Sequence, residues 1–266
     1  MLEPGISSYT YGWAIGVPGH EPARPMDEHD LLDQVNEFGL KLLQIGDNLP
    51  LHTFDNQRLS RLADRAAAEG VKLEIGARPL TTEMINVYSG IARKLDARLI
   101  RFIVDGPDFH PGADAVVKTL RAAVPQLGDL TIGIENHDRF PTKILRQIVD
   151  AVTSEQVGVC LDTANSLGAG EGLETVLEAL APVAVNLHLK DFEIRRMPHM
   201  MGFTVVGTPL GRGMLDVARV LEQVRLSGRC RTAILELWTP PETCIEDTLA
   251  KEAAWAAESI ARLKKY

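Results

Sequence analysis

Four residues of types that bind divalent metal ions each end a short apolar run in this sequence. Glu135, Asp162, His188 and Glu236 close the segments TIGIE, VGVCLD, VNLH and AILE. Short apolar runs of this kind are typical of buried strands in a parallel sheet. Because parallel strands present their carboxyl ends at one edge, we expect the four side chains to converge on a single site.

Three carboxylates and an imidazole cannot share a partly apolar pocket without compensation, since like charges repel and burial disfavours charged forms. A divalent cation supplies that compensation. The oxygen-rich donor set with one imidazole favours Mn²⁺ or Mg²⁺, while Co²⁺ and Zn²⁺ stay open. Taken singly, such a residue is more often a helix cap or a loop residue. Its recurrence on four successive predicted strands favours a metal site.

The elements that must position these residues alternate along the whole chain. Strands are predicted at residues 5–10, 41–46, 71–76, 99–105, 130–135, 157–162, 183–188 and 232–238. Helices are predicted at residues 30–38, 56–69, 82–95, 112–127, 142–152, 173–180, 215–226 and 243–263. This alternation predicts one (β/α)8 TIM barrel, a single catalytic domain over residues 1–266. The glycine-rich and arginine-rich stretch 192–213 is predicted to be a long, irregular active-site loop.

Charge and composition exclude several classes of protein. The chain has 28 basic and 36 acidic residues, a net charge of −8, which argues against binding nucleic acid or anionic lipid. No apolar run approaches the roughly 20 residues of a membrane span. The start MLEPG has no basic segment followed by an apolar stretch, so we expect a cytoplasmic protein. The three cysteines show no CxxC spacing and are expected to be reduced thiols.

Four segments around these residues have a recognisable form. They are Ile134-Glu135-Asn136-His137, Leu161-Asp162-Thr163-Ala164-Asn165, His188-Leu189-Lys190-Asp191 and Leu235-Glu236-Leu237. Together they resemble the metal-binding strand ends of the xylose isomerase-like TIM-barrel superfamily. Within it, they are most similar to the sugar isomerase/epimerase branch of the D-tagatose 3-epimerase type.

The resemblance implies a divalent-metal-dependent isomerase or epimerase that acts on a ketose or related keto-polyol through a metal-bound enediolate. In that mechanism Glu135 and Glu236 are the acid and base on opposite faces of the substrate. Asp162 and His188 mainly fix the geometry of the ion. A carboxylate or carbonyl group is expected to orient the second ring nitrogen of His188, and the sequence leaves its identity open.

Two other activities of the same superfamily are alternatives. A dehydratase or lyase acting on a cyclic keto-polyol of the inosose or dehydroshikimate type would begin with the same removal of a proton beside a carbonyl. A DNA-repair endonuclease with a trinuclear zinc cluster would need more histidine ligands and a basic surface. The net charge of −8 and the total of 7 histidines argue against the endonuclease. The expected partner is a small sugar or polyol, and a homo-oligomer stays open.

The sequence departs from the ketose 3-epimerase pattern around the metal site. Pro141 stands where those enzymes carry a glutamate, Asn165 where they carry a histidine, and Ile194 where they carry an arginine. These departures indicate a different substrate. A solvated loop position is the alternative for His137 and the arginines, and a surface salt bridge with Asp191 is the alternative for Lys190. The residues predicted to contact substrate are His137, Asn165, Lys190, Arg195 and Arg196.

Overall fold

Eight parallel strands form the centre of the molecule, as the sequence predicts. The computed structural model describes residues 1–266. The strands are β1 (Glu3–Ser7), β2 (Leu42–Ile45), β3 (Lys72–Ala77), β4 (Leu99–Phe102), β5 (Thr131–Glu135), β6 (Val157–Asp162), β7 (Ala184–Leu189), β8 (Asp191–Arg196), β9 (Phe203–Thr208) and β10 (Thr232–Leu235). All except β8 and β9 close into a barrel in the order β1-β10-β7-β6-β5-β4-β3-β2. The predicted (β/α)8 TIM barrel is confirmed.

Helices connect successive barrel strands and cover the outside of the barrel. They are α1 (Gly12–Ile15), α2 (Glu28–Glu37), α3 (Asn56–Glu69), α4 (Thr82–Lys94), α5 (Ala113–Leu127), α6 (Thr142–Val152), α7 (Leu173–Leu180), α8 (Val217–Leu226) and α9 (Ile245–Leu263). Short 3-10 turns lie at Leu51–Thr53, Asn165–Leu167 and Ala181–Val183. Helices α2 to α9 match the predicted helices to within a few residues. No helix combines the length and the apolar character that crossing a membrane requires.

Helix α3 shows how the local sequence sets these boundaries. The Asp55 side chain accepts a hydrogen bond from the Arg58 backbone N–H and caps the first turn. Leu59 and Leu62 are buried on the face that packs against the barrel. Gly70 ends the helix with a φ of 64°, in the left-handed region that favours glycine. Cap, apolar stripe and stop signal therefore agree, which is why the predicted and observed bounds coincide.

The stretch 192–213 is not the irregular loop that the sequence predicts. Strands β8 and β9 pair antiparallel, with Ile194 opposite Val205 and Arg196 opposite Phe203. Alternating apolar side chains on both strands favour this pairing, and Gly202, with a φ of 118°, lies in the connecting turn. We refer to β8, β9 and their turn as the hairpin. The hairpin follows β7 directly, and its two strands form a separate sheet outside the barrel.

Candidate metal centre

Glu135, Asp162, His188 and Glu236 lie together at the carboxyl ends of four neighbouring barrel strands. We refer to these four residues as the rim cluster. Glu135 and Asp162 are the last residues of β5 and β6, His188 lies near the end of β7, and Glu236 directly follows β10. None of the four is more than 4% exposed. One ligand atom from each lies within 4.8 Å of the ligand atoms of the other three.

Several donor atoms of the rim cluster face one another without a well-aligned hydrogen-bond partner. Glu135 Oε2, Asp162 Oδ2 and His188 Nδ1 are all buried atoms of this kind. His188 Nδ1 lies 3.3 Å from Glu236 Oε1 and 3.5 Å from Glu135 Oε1. Buried polar atoms are nearly always paired, and oxygen and nitrogen donors that converge in this way suit a divalent cation. The residues of the rim cluster therefore fit a metal ion.

A fully buried arginine lies behind Glu135. Arg101 is 1% exposed, and its Nε lies 3.1 Å from Glu135 Oε2 while its Nη1 donates to Asp47 Oδ1 at 2.6 Å. Burial would raise the pKa of Glu135, but the charges of Arg101 and His188 lower it to about 2. Glu135 is therefore an ionised carboxylate, which is the form that binds cations.

Lys190 points into the rim cluster. Its Nζ lies 2.8 Å from Glu236 Oε2 and 2.9 Å from Asp162 Oδ2, and the residue is 6% exposed. Burial would lower the pKa of Lys190, but Asp162 and Glu236 raise it well above its ordinary value. Burial likewise would raise the pKa of Glu236, but His188 and Lys190 lower it well below its ordinary value. A charged ammonium group therefore stands beside the ionised Glu236 carboxylate and 2.9 Å from Asp162 Oδ2.

The alternative interpretation of Lys190, a surface salt bridge with Asp191, is wrong. Asp191 is 2% exposed and accepts hydrogen bonds from the backbone N–H groups of Gly211, Gly213 and Leu215. The Asp191 carboxylate therefore holds the segment that follows the hairpin, from Gly211 to Leu215, close to the end of β7. Asp191 is occupied by backbone groups, and the carboxylates available to Lys190 are those of the rim cluster.

Asn165, one of the predicted substrate contacts, lies in direct contact with the rim cluster. Its Nδ2 donates to Glu135 Oε1 at 2.9 Å, and its Oδ1 accepts from Lys190 Nζ at 3.4 Å. Asp162 fixes its position, because Asp162 Oδ1 accepts the backbone N–H groups of Ala164 and Asn165 at 2.8 Å each. Asn165 thus links the ammonium group on one side of the cluster to the Glu135 carboxylate on the other.

The other three predicted substrate contacts bond elsewhere. The His137 side chain is 40% exposed and its Nδ1 lies 2.8 Å from Asp138 Oδ1. Arg195, whose side chain is 62% exposed, forms an ion pair with Glu193 on the hairpin. The Arg196 guanidinium lies 4.2 Å from the centre of the Phe203 ring. The structure does not bring these three side chains into the rim cluster.

Sequence reasoning missed Arg101, and it named no partner for His188. The one available signal for Arg101 is a single charged residue inside the apolar segment LIRFIV. The partner of His188 is Gln44, whose Oε1 lies 2.7 Å from His188 Nε2. The three carboxylates of the rim cluster and Asp47, set against Arg101 and Lys190, leave two formal negative charges. A divalent cation would neutralise them.

A cavity of about 460 Å³ lies next to the segment that follows Glu236; Leu237 and Trp238 line it, and the four residues of the rim cluster do not. Tyr9, Trp13 and Trp238 lie along it. The Trp238 ring centre is 5.5 Å from Lys190 Nζ, which places one wall of the cavity next to the ammonium group. Aromatic walls with a few charged groups at one end are typical of sites for small polar molecules.

Comparison with known proteins agrees with this geometry. The chain is 32% identical over 260 residues to 3-oxo-isoapionate decarboxylase of Pectobacterium atrosepticum, covering 96% of this chain and 93% of that protein. A crystal structure of D-psicose 3-epimerase has a TM-score of 0.71 at 14% identity, covering 99% of this chain and 97% of the other.

A second solved structure is similar in fold and contains a metal ion. It is a xylose isomerase-like TIM-barrel protein from Mycobacterium smegmatis in complex with magnesium, with a TM-score of 0.71 at 12% identity. The match covers 98% of this chain and 97% of the other. Residues 80–266 match the family described as xylose isomerase-like TIM barrel, and this stretch holds the whole rim cluster. The closed parallel barrel, the buried Glu-Asp-His-Glu cluster and the sequence match thus agree, and the chain belongs to the xylose isomerase-like TIM-barrel family.

Proposed function

We propose that this protein is a divalent-metal-dependent enzyme that breaks or forms a bond at the carbon next to a carbonyl group of a small sugar-derived compound. The observation that carries the proposal is the rim cluster, where four buried ligand side chains converge and three of their donor atoms lack a well-aligned hydrogen bond. Its four residues would hold the ion, which when bound would polarise a substrate carbonyl and stabilise negative charge on its oxygen. The oxygen-rich donor set supports Mg²⁺ or Mn²⁺.

Decarboxylation of a 3-oxo sugar acid is the reaction with the most support. The relative at 32% identity, which matches nearly the whole chain, is named for decarboxylation of 3-oxo-isoapionate. In a 3-oxo acid, the bond between the carboxylate carbon and its neighbour breaks and the electron pair moves toward the carbonyl. CO₂ leaves and a proton takes its place on the carbon. This reaction needs a proton donor but no base to begin it.

Lys190 supplies the proton donor in this proposal. Its ammonium group is held between Asp162 and Glu236 beside the aromatic wall of the cavity. The two carboxylates keep the proton on Lys190 until the carbon next to the carbonyl carries the electron pair. Lys190 then donates to that carbon and is protonated again by solvent water, whose hydroxide combines with the released CO₂ as bicarbonate. Glu135, held by Arg101 and Asn165, remains a carboxylate throughout.

Isomerisation or epimerisation of a ketose is the second candidate, and the two glutamates of the rim cluster favour it. Glu135 and Glu236 would act as acid and base, one removing a proton from carbon and the other returning it. Return to the opposite face gives an epimer, and return to the adjacent carbon gives an isomer. The ammonium group of Lys190, 2.8 Å from Glu236 Oε2, lowers the basicity of that glutamate. Decarboxylation is for this reason placed first.

The remaining predicted contacts belong to the same proposal. Asn165 would orient a substrate hydroxyl group between Glu135 and Lys190. Substrate contacts of His137, Arg195 and Arg196 stay predictions from the sequence. We also propose that residues 1–266 act as one catalytic domain, because the first strand, β1, and the last, β10, are neighbours in the same barrel.

The test is a reaction panel in D₂O with protein loaded with Mn²⁺ or Mg²⁺. The panel contains 3-oxo sugar acids, ketoses and cyclic keto-polyols, and products are identified by mass and NMR. Release of CO₂ with deuterium on the adjacent carbon supports decarboxylation. Deuterium uptake without change in composition supports the isomerase or epimerase, and loss of water supports a dehydratase. Metal-loaded protein that turns over no member of the panel would contradict the proposal.

Matched variants then separate the two leading reactions. Lys190→Met removes the ammonium group but keeps the length of the side chain, and should abolish decarboxylation. Arg98→Met is the control, because it removes a cation that is 60% exposed, pairs with Asp96 and lies before β4, away from the carboxyl ends of the strands. Glu135→Gln and Glu236→Gln should abolish isomerisation or epimerisation while the circular dichroism spectrum stays that of the wild type. Full CO₂ release by Lys190→Met would contradict the role given to Lys190.

A further inference from the structure

A layer of buried polar side chains lies inside the barrel beneath the rim cluster. Gln44 on β2, Glu74 on β3 and Asn186 on β7 are 0%, 7% and 0% exposed. None of them has a part in the proposed reaction. Polar groups are costly to bury, so a connected set of them at the centre of a barrel calls for a specific role.

Gln44 connects this layer to the rim cluster. Its amide nitrogen donates to Glu74 Oε2 at 3.0 Å and to Asn186 Oδ1 at 3.1 Å. Its amide oxygen, Oε1, lies 2.7 Å from His188 Nε2. One side of the Gln44 amide therefore faces two acceptors in the layer below, and the other side faces the imidazole above.

The layer leaves the Gln44 amide a single orientation. Glu74 Oε2 also accepts from Asn186 Nδ2 at 3.0 Å, and the same Nδ2 donates to Thr232 Oγ1 at 2.7 Å. Glu74 Oε2 accepts both N–H groups when Glu74 is a carboxylate, and equally when its other carboxyl oxygen carries a proton. Both amides must turn their nitrogens toward Glu74. The reversed Gln44 amide would place its oxygen against the oxygens of Glu74 and Asn186.

This orientation decides which nitrogen of His188 carries hydrogen. Because Gln44 offers only an oxygen, His188 Nε2 must be the donor. In the neutral ring the lone pair is then on Nδ1, the atom that lies 3.3 Å from Glu236 Oε1. We propose that Gln44, locked by Glu74 and Asn186, is the positioning residue that directs His188 Nδ1 to the metal ion. This inference rests on the metal site of the proposed function.

The first test is metal affinity, measured by titration calorimetry with Mn²⁺ at one fixed pH. Gln44→Met keeps the length of the side chain but removes the acceptor, and should weaken Mn²⁺ binding about 10- to 100-fold. The exchange variant Gln44→Glu with Glu74→Gln restores an acceptor facing His188 and keeps the charge of the layer, so its affinity should be close to that of the wild type. Thr232→Val is the matched control, because it alters the same layer without touching Gln44.

The second test needs no variant at this position and so does not depend on the folding of Gln44→Met. Nitrogen-15 NMR of the wild-type protein loaded with Zn²⁺ should show hydrogen on His188 Nε2 and metal on Nδ1. The His188→Gln spectrum identifies the signals of this ring. Hydrogen on Nδ1, or wild-type affinity in Gln44→Met, would overturn the inference. A wild-type protein that binds no divalent ion would instead overturn the proposed function, so the two failures are distinguishable.

Discussion

The end of β7 and the hairpin that follows it carry similar residues in opposite surroundings. Lys190 is 6% exposed and lies between two carboxylates, whereas the Arg195 side chain, a few residues later, is 62% exposed. Both are basic residues next to the same predicted site. Lys190 is held by charges inside the barrel, and Arg195 is paired with Glu193 on the hairpin. Position relative to the barrel rim therefore decides which basic residue belongs to the site.

The energies of the two regions differ for the same reason. Ion pairs that are screened by solvent contribute up to about 1 kcal/mol. In a buried site the charges interact strongly, and removal of one partner leaves another charge uncompensated. The rim cluster with Arg101 and Lys190 is such a site, so its members should respond strongly and jointly to substitution. Substitutions on the hairpin should have small and independent effects.

The largest effect is expected when one of the negative charges that would bind the metal ion is removed. Asp162→Asn keeps the Oδ1 acceptor that holds the backbone of Ala164 and Asn165, but it replaces the charged oxygen that faces Lys190. We expect loss of the bound ion and a fall in turnover of about a thousandfold or more. Metal content by mass spectrometry and the turnover rate check this. An unchanged metal content in a folded Asp162→Asn protein would remove Asp162 from the ligand set.

The next effect is on stability, and it compares the two regions directly. Arg101→Met leaves the carboxylates of Glu135 and Asp47 buried without their cation, and should lower the free energy of unfolding by about 3–5 kcal/mol. Arg195→Met should change it by no more than about 0.5 kcal/mol. Urea unfolding followed by circular dichroism measures both. Equal effects of the two substitutions would show that a buried ion pair contributes no more to the stability of this protein than an exposed one.

A smaller effect tests a buried acid outside the rim cluster. Glu252 on α9 accepts hydrogen bonds from the backbone N–H groups of Trp13 and Ala14, and burial raises its pKa from 4.5 to about 7. Between these two values the folded protein keeps a proton that the unfolded chain has lost. The free energy of unfolding should therefore fall as the pH rises through this window, by on the order of 3 kcal/mol.

Two glutamates of the same helix, α9, are compared to test this pH dependence. Glu252→Gln should remove this part of the slope between pH 4.5 and 7, whatever constant change in stability it causes. Glu246→Gln, at an exposed position in the first turn of α9, should leave the slope as in the wild type. Urea midpoints at several pH values measure both variants. If the slope persists in Glu252→Gln, other buried acids cause the pH dependence of stability.

The fold and the rim cluster could be predicted because their signals are local. Apolar strands, helix caps and stop signals lie within short stretches, and parallel strands bring their carboxyl ends to one rim. That is why Glu135, Asp162, His188 and Glu236 could be grouped although they are far apart in the sequence. The family resemblance, confirmed by the comparisons, rests on these same four strand ends.

The surroundings of the cluster could not be predicted, because they depend on contacts across the barrel. Arg101 on β4 reaches Asp47, which follows β2, and Gln44 on β2 reaches His188 on β7. Such pairs leave no spacing rule in one sequence. The hairpin was wrongly predicted as a loop because its glycines and arginines suggested irregular structure. Its alternating apolar residues, such as Ile194 opposite Val205, were the better signal.

The smallest expected effect concerns the two hairpin arginines that the sequence places among the substrate contacts. If Arg195 and Arg196 help to capture an anionic substrate from the rim, their replacement by alanine should raise KM a few-fold. The turnover number and the stability should stay close to those of the wild type, because both side chains lie on the exposed hairpin. Steady-state kinetics at several salt concentrations measure this, since screening weakens attraction between exposed charges. An unchanged KM would confine substrate recognition to the rim cluster and the cavity beside it.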